Sequence, residues 1–342
     1  MPTPLSQVGG QAVLEGVLIR SPGSFAVAVR RATGEIVVRE RPWRSWSDRH
    51  AIFRLPVMRG AVVLVEGVLA GIEGLSFAAE QAGSNGPLAP AVVESVGGAQ
   101  REGESWLSTL MSFGLALAFG VLLFVALPHA LAVVVGRLVG GLSMQSVAFQ
   151  MVAGGCKLVV FFLYLVLLGR LPDVRRLFMY HGAEHKVIAA FEAGDVLDVA
   201  HARRHTTFHA RCGTSFLLLL VLLAMVSFSL VFPLLPALGE GWQAHVLAVA
   251  LKIPLMLPLG GLAYEFNRWA STCMHRPWVR MLTAPGRWLQ SLTVAEPTDD
   301  MVEVALVALK ASLSRSRKAV VVTAPDPRFS YQKFADVCAR QV

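Results

Sequence analysis

Charge is scarce in this 342-residue chain: Asp, Glu, Lys and Arg make up 16% of it, against 54% hydrophobic residues. Disordered chains and coiled coils carry the opposite balance, so both are excluded. Cysteine is scarce too. Cys156, Cys212, Cys273 and Cys338 lie far apart with no CxxC pair, which rules out a small disulfide scaffold and predicts reduced thiols. Met1–Gln7 lacks the basic-then-apolar pattern of a cleaved signal peptide, so targeting is expected from an uncleaved transmembrane helix. Basic residues outnumber acidic ones, 31 to 23, yet the arginines sit beside apolar runs and no aromatic-rich binding motif accompanies them. Nucleic acid is therefore not the expected partner; anionic lipid headgroups are.

What the chain has is hydrocarbon. A mean hydropathy of +0.56 is too high for two soluble domains and predicts a multi-pass membrane protein. Four segments, about 108–135, 147–168, 214–236 and 246–266, each supply the roughly 20 residues needed to cross about 30 Å of hydrocarbon. The fold class expected is mainly α, a polytopic protein with four transmembrane helices and a small N-terminal cytoplasmic β segment. Residues 1–54 form that segment, with Phe25–Arg30 and Glu35–Arg39 as strands around the turn-like Thr33-Gly34. Residues 55–82 are helical in pattern, but Arg59, Glu66 and Glu73 interrupt the run every seven positions, which favours a helix lying on the membrane or against protein. Residues 83–105 read as a Gly/Ser/Pro linker, 106–168 as the first two spans, 169–213 as a His-rich loop, 214–266 as the last two spans and 267–342 as a C-terminal region. In that region Pro297–Ser314 reads as an amphipathic helix and the residues from Ala324 as a polar tail.

The 169–213 connection carries Arg170, Arg175, Arg176, Lys186, Arg203, Arg204 and Arg211, whereas the connection after the first span holds only Arg137. The positive-inside rule makes the His-rich loop and both termini cytoplasmic. Glu15, Arg20, Arg59 and Glu66 are expected to pair with one another or to sit at an aqueous boundary, because an unpaired charge among apolar neighbours costs several kcal/mol.

The sharpest local signal is Tyr180-His181-Gly182-Ala183-Glu184-His185. On a helix, His181 and His185 share one face a turn apart, the spacing two imidazoles need to hold one Zn²⁺. Glu184 beside them has the type and place of a general base that activates water. The same stretch offers His201, His205, His209 and the soft ligand Cys212, and His209-x-x-Cys212 is a common spacing in metal sites. Glu265, in Tyr264-Glu265-Phe266 at the inner end of the fourth span, is a further candidate ligand, or else a carboxylate paired with Arg268. A closed ligand set would make the metal structural, an open position catalytic.

Four stretches, GGQAVLEGVLIR, HGAEHKVIAAFEAG, HARCGTSF and APGRWLQSLTVAEPTDDMVEVAL, resemble the YqhQ-like bacterial membrane proteins, a family of unknown function predicted to be metal-dependent. The resemblance implies a multi-pass protein of the bacterial inner membrane and carries over His181, Glu184, His185, Glu192, His209, Arg211 and Cys212. It departs at Ala210, where proline is more usual, and His201 and His205 match no family position, so they rank below His209. The reading is a zinc-dependent membrane hydrolase: His181, His185, His209, Cys212 and Glu265 are the candidate ligands and Glu184 the catalytic base. A non-enzymatic scaffold or assembly factor with a structural metal is the alternative, and a transporter ranks third because the spans carry few charges. Protein partners are not indicated, and a homo-oligomer stays open.

Overall fold

A computed structural model describes residues 8–82, 106–235, 241–318 and 328–331. The 83–105 linker and most of the expected tail lie outside the described residues. The chain opens with an antiparallel meander of β1 (Gly9–Val13), β2 (Gly16–Ser21), β3 (Ser24–Arg30) and β4 (Ile36–Pro42), and β5 (Arg328–Tyr331) adds to the β4 edge. The stretch from Ala324, expected to be only a polar tail, therefore contributes a strand. Its backbone satisfies the edge that β4 would otherwise leave open.

Alternation along the strands sends side chains to two different cores. Val17, Ile19, Ala26, Ala28, Ile36 and Val38 point to one face, Leu18, Phe25, Val27, Val29 and Val37 to the other, and all are buried. A sheet buried on both faces needs a cover on each. Helix α1 (Met58–Ala82) supplies one through Ala70, Phe77 and Ala78.

The apolar helices follow. Helix α2 (Trp106–Val121) runs through a π turn at Leu122–Ala126 into α3 (Leu127–Leu138), and α4 (Val147–Leu168) returns beside α3. Next comes α5 (Pro172–Ala193), with Pro172 in its first turn and Gly194 in the left-handed region just past its end. The segment expected as a loop over 169–213 thus opens with this 22-residue helix, which takes up about half of it. Helices α6 (Gly213–Val231) and α7 (Trp242–Thr272) form a second apolar pair, α8 (Ala284–Thr293) packs on α6, and α9 (Asp299–Lys318) ends the described helices. Helix α9 lies between the sheet and α5, so more than one stripe of it is buried: Met301, Val302, Val304, Ala305, Leu306, Ala308 and Leu309. Each of its large aliphatic side chains contributes roughly 1.5–3 kcal/mol on burial.

Five helical stretches are long and apolar enough to cross a membrane: Met58–Ala82, Gly114–Leu138, Val147–Leu168, Gly213–Leu234 and Trp242–Thr272. Their outward faces expose Leu117, Phe119, Val159, Leu163, Leu230 and Leu257, apolar surface that water would not tolerate at this extent. Exposed tryptophans mark both ends, Trp242 at one and Trp269, Trp278 and Trp288 at the other, as in an interfacial aromatic belt. Of the five, α1 is the most buried inside the protein. Its start approaches α7 closely: a Cβ on Gly60 would stand 2.6 Å from the Gly261 carbonyl oxygen, and one on Gly261 2.2 Å from the carbonyl oxygen of Val57 just before the helix, so only glycine admits this crossing.

The four N-terminal charges find partners, but mostly not one another. Glu15 accepts from Arg176 and from the Tyr180 hydroxyl. Arg59 forms a two-pronged pair with Glu265 at 3.0 and 2.5 Å. Glu66 is buried and accepts from the Ser45 hydroxyl and the Trp46 N–H, at the start of a short helix. The Arg20 guanidinium lies over Trp43, with Glu66 as its main opposite charge.

Candidate functional site

Helix α5 sets the site because it presents His181 and His185 on one face, their rings 4.4 Å apart between centroids. Each imidazole is oriented through its Nδ1. That of His181 meets the Thr293 carbonyl oxygen at 3.0 Å, at the end of α8, and that of His185 meets the Thr207 carbonyl oxygen at 2.5 Å. A carbonyl only accepts, so both Nδ1 atoms carry a proton, which turns the Nε2 atoms toward the ligand side, where a neutral ring would offer its lone pair. Cys212 caps the N-terminus of α6, and its sulfur lies 3.3 Å from His181 Nε2. One ligand atom from each of His181, His185 and Cys212 falls within 4.8 Å of the others. Donors around a tetrahedral zinc stand about 3.5 Å apart, from bonds of roughly 2.05 Å to nitrogen and 2.3 Å to sulfur. Closing the cluster onto an ion therefore needs shifts on the order of 1 Å, and the two-nitrogen, one-sulfur set suits zinc.

Glu184, between the two histidines in sequence, reaches the sheet, where it is buried and accepts the Gly10 N–H while staying within the influence of His181 and His209. A Cβ on Gly10 would stand 2.8 Å from the Glu184 side chain, so β1 passes this close only as glycine. Burial pushes the Glu184 carboxyl up, against the opposing influence of His181, His209 and Arg211. Burial likewise holds the His185 imidazole below its ordinary value.

His209 stands apart from the three-donor cluster. Its ring is 5.5 Å from that of His185, but its Nε2 faces Glu192 at 3.4 Å. Burial alone would raise the Glu192 carboxyl; His209 and Arg211 outweigh it and hold it below the usual range. Glu265, the other expected ligand, is held by Arg59 and is absent from the cluster. The physical reason is reach: α1 and α7 cross beside it, and a guanidinium fork satisfies both carboxylate oxygens. His201 and His205 bind Asp198 and Asp195 at 2.8 and 2.7 Å, in the turns that follow α5.

Two supporting groups gave no local signal of their own. Gln290, fully buried on α8, accepts the His209 N–H at 3.0 Å and donates to the His209 carbonyl at 2.9 Å and to Ser215 Oγ at 2.7 Å. It fixes the 209–215 segment and with it Cys212. Lys186 donates to the carbonyls of Arg203 and His205 and pairs with Glu296 at 2.7 Å, tying down the turn before Thr207. On the other side of that segment lies a cavity of about 50 Å³ lined by Ala210, Ser215, Leu218, Leu222, Phe266 and Arg287. The four stretches singled out in the sequence thus meet here, through Gly10, the α5 triplet, His209 to Cys212, and Gln290 with Thr293.

Comparison with known proteins agrees. Residues 55–315 match the family described as protein of unknown function (DUF1385). The uncharacterized protein YqhQ of Bacillus subtilis (strain 168) is 31% identical over 302 residues, which span 87% of this chain and 89% of that protein. No solved structure matches. The chain belongs to the DUF1385, YqhQ-like family.

Proposed function

We propose that this family member is a zinc-dependent hydrolase of the bacterial inner membrane, acting on an amide or ester at the cytoplasmic surface. The observation that carries the reading is a pair of imidazoles whose Nδ1 atoms are both committed to carbonyls, so that their Nε2 atoms and the Cys212 sulfur come together on one side of α5. His181, His185 and Cys212 would hold the ion, which when bound supplies Lewis acidity for hydrolysis. Glu184 is the proton carrier in this proposal. It takes a proton from the attacking water and returns it to the leaving amine or alcohol, and a carboxyl raised by burial is suited to that return. The cavity beside Ala210 and Ser215 has room for part of an apolar group, and Arg287 on its wall suits an acidic one.

The alternative, a scaffold in which the metal only staples α5 to α6, is favoured by one observation: His185, Cys212 and Glu184 are all buried. The two part at Glu184→Gln. With vesicle-embedded, zinc-loaded protein and long-chain acyl esters and amides, a hydrolase loses at least about 100-fold in turnover on this change while keeping its zinc. No turnover in either favours the scaffold; equal turnover in the variant and the parent removes Glu184 from the chemistry.

Four crossings fit the fold best. Strand β4 and α5 belong to one core, so an even number of the three apolar segments between them crosses, and α1, packed along the sheet, is the one that does not. Helices α6 and α7 then cross before α9 rejoins the same core. The sheet side collects Arg170, Arg175, Arg176, Arg276, Arg280 and Arg287, which supports a cytoplasmic placement with anionic lipid beneath it. An impermeant thiol reagent applied to intact cells should label a cysteine placed at Ser143 and spare one placed at His201. The reverse pattern would overturn the orientation.

A further inference from the structure

A second concentration of titratable side chains lies among the apolar helices, well away from the His/Cys cluster. It surrounds Phe228, 16 residues along α6 from Cys212, or about 24 Å of helix. His129 on α3 places its Nε2 3.1 Å from Nδ1 of His245 on α7. Lys252, also on α7, brings its Nζ to 3.5 Å from Nδ1 of the same His129. Lysine only donates, so the chain reads from Lys252 to His129 and from His129 to His245. The Lys252 Nζ also stands 5.5 and 5.0 Å from the Phe228 and Phe232 ring centroids, and Lys157 on α4 stands 5.5 Å from the Phe228 centroid on its own account.

Depth makes the arrangement unusual. Lys157 and Lys252 each follow the first residue of their helix, Val147 and Trp242, by ten positions, about 15 Å along the axis and close to the midplane of a hydrocarbon layer about 30 Å thick. Cationic groups there are costly and mark function. Two of them stand against one aromatic ring, and among the described residues no carboxylate pairs with either and Lys157 makes no hydrogen bond. Lys252 and His129 are buried, whereas Lys157 and His245 are half-buried. The cluster is therefore reachable at Lys157, which is only half-buried, and the medium at that depth is hydrocarbon.

We propose that Lys157 and Lys252 form an intramembrane binding site for the anionic group, carboxylate or phosphate, of a lipophilic molecule that enters from the bilayer. The site is separate from the His/Cys centre and does not depend on its chemistry. The test uses full-length protein stripped of lipid by detergent exchange, with native mass spectrometry after addition of oleate, dioleoyl phosphatidylglycerol, neutral monoolein or inorganic phosphate. Saturable retention of one oleate or one phosphatidylglycerol per chain is expected, weakened at least tenfold in Lys157→Met/Lys252→Met and preserved in Lys157→Arg. Oleate alone identifies a carboxylate ligand, phosphatidylglycerol alone a phospholipid. No saturable retention by the parent protein overturns the proposal whatever the variants do. So does retention unchanged in the double variant, retention of monoolein to the same extent, or occupancy by inorganic phosphate alone.

Discussion

Replacing His181 or His185 with alanine is expected to take bound zinc from about one ion per chain to less than a tenth of that, because two protein donors do not make a stable site. Cys212→Ser should have a similar effect, since oxygen is the weaker partner for this ion. His209→Ala should cost far less. Its ring already faces Glu192, and neither of its nitrogens belongs to the three-donor cluster. Metal analysis of the purified variants, with thermal unfolding to confirm folding, reads all four. If His209→Ala empties the protein as completely as His181→Ala does, the ligand assignment is wrong and His209 holds the ion.

Reversing the charge of Glu265 is expected to destabilise the protein by roughly 2–4 kcal/mol, because Glu265→Arg sets two guanidinium groups face to face where α1 crosses α7. The pair is about a quarter exposed, with side chains at 28% and 20%, which places the effect below that of a fully buried pair. Swapping both charges, Arg59→Glu with Glu265→Arg, should restore a large part of the loss. Folded yield and unfolding temperature in detergent measure this. Zinc content should stay the same in every folded member of the series. A fall in zinc on Glu265→Gln alone would return Glu265 to the metal site.

The pairing of Glu265 with Arg59, where Arg268 was the partner expected, shows what a linear sequence conceals. An acid in an apolar run signals a partner but not which one, and Arg59 lies 206 residues away. Glu15 likewise finds Arg176 rather than Arg20. Features set by local pattern were legible: the runs 25–30 and 35–39 around Thr33-Gly34 are strands, at 24–30 and 36–42, hydropathy marked four of the five long apolar helices, and the four-residue spacing of His181 and His185 put both on one face. The carbonyls of Thr207 and Thr293 could not be read, since a backbone acceptor leaves no mark on residue type. Nor could β5, whose four residues become a strand only because β4 offers an edge. The lysines at 157 and 252 were visible, but as two isolated charges in separate spans. Only the packing of α4, α6 and α7 around Phe228 makes them a pair.

The central claim is that His181, His185 and Cys212 together hold one zinc ion, and the zinc K-edge absorption spectrum of the purified protein tests it most directly. The account predicts about one zinc per chain, with two nitrogen scatterers near 2.0–2.1 Å and one sulfur near 2.3 Å, the sulfur shell vanishing in Cys212→Ser. A protein that takes up no zinc, or whose zinc shows only oxygen and nitrogen neighbours with Cys212 intact, would contradict it.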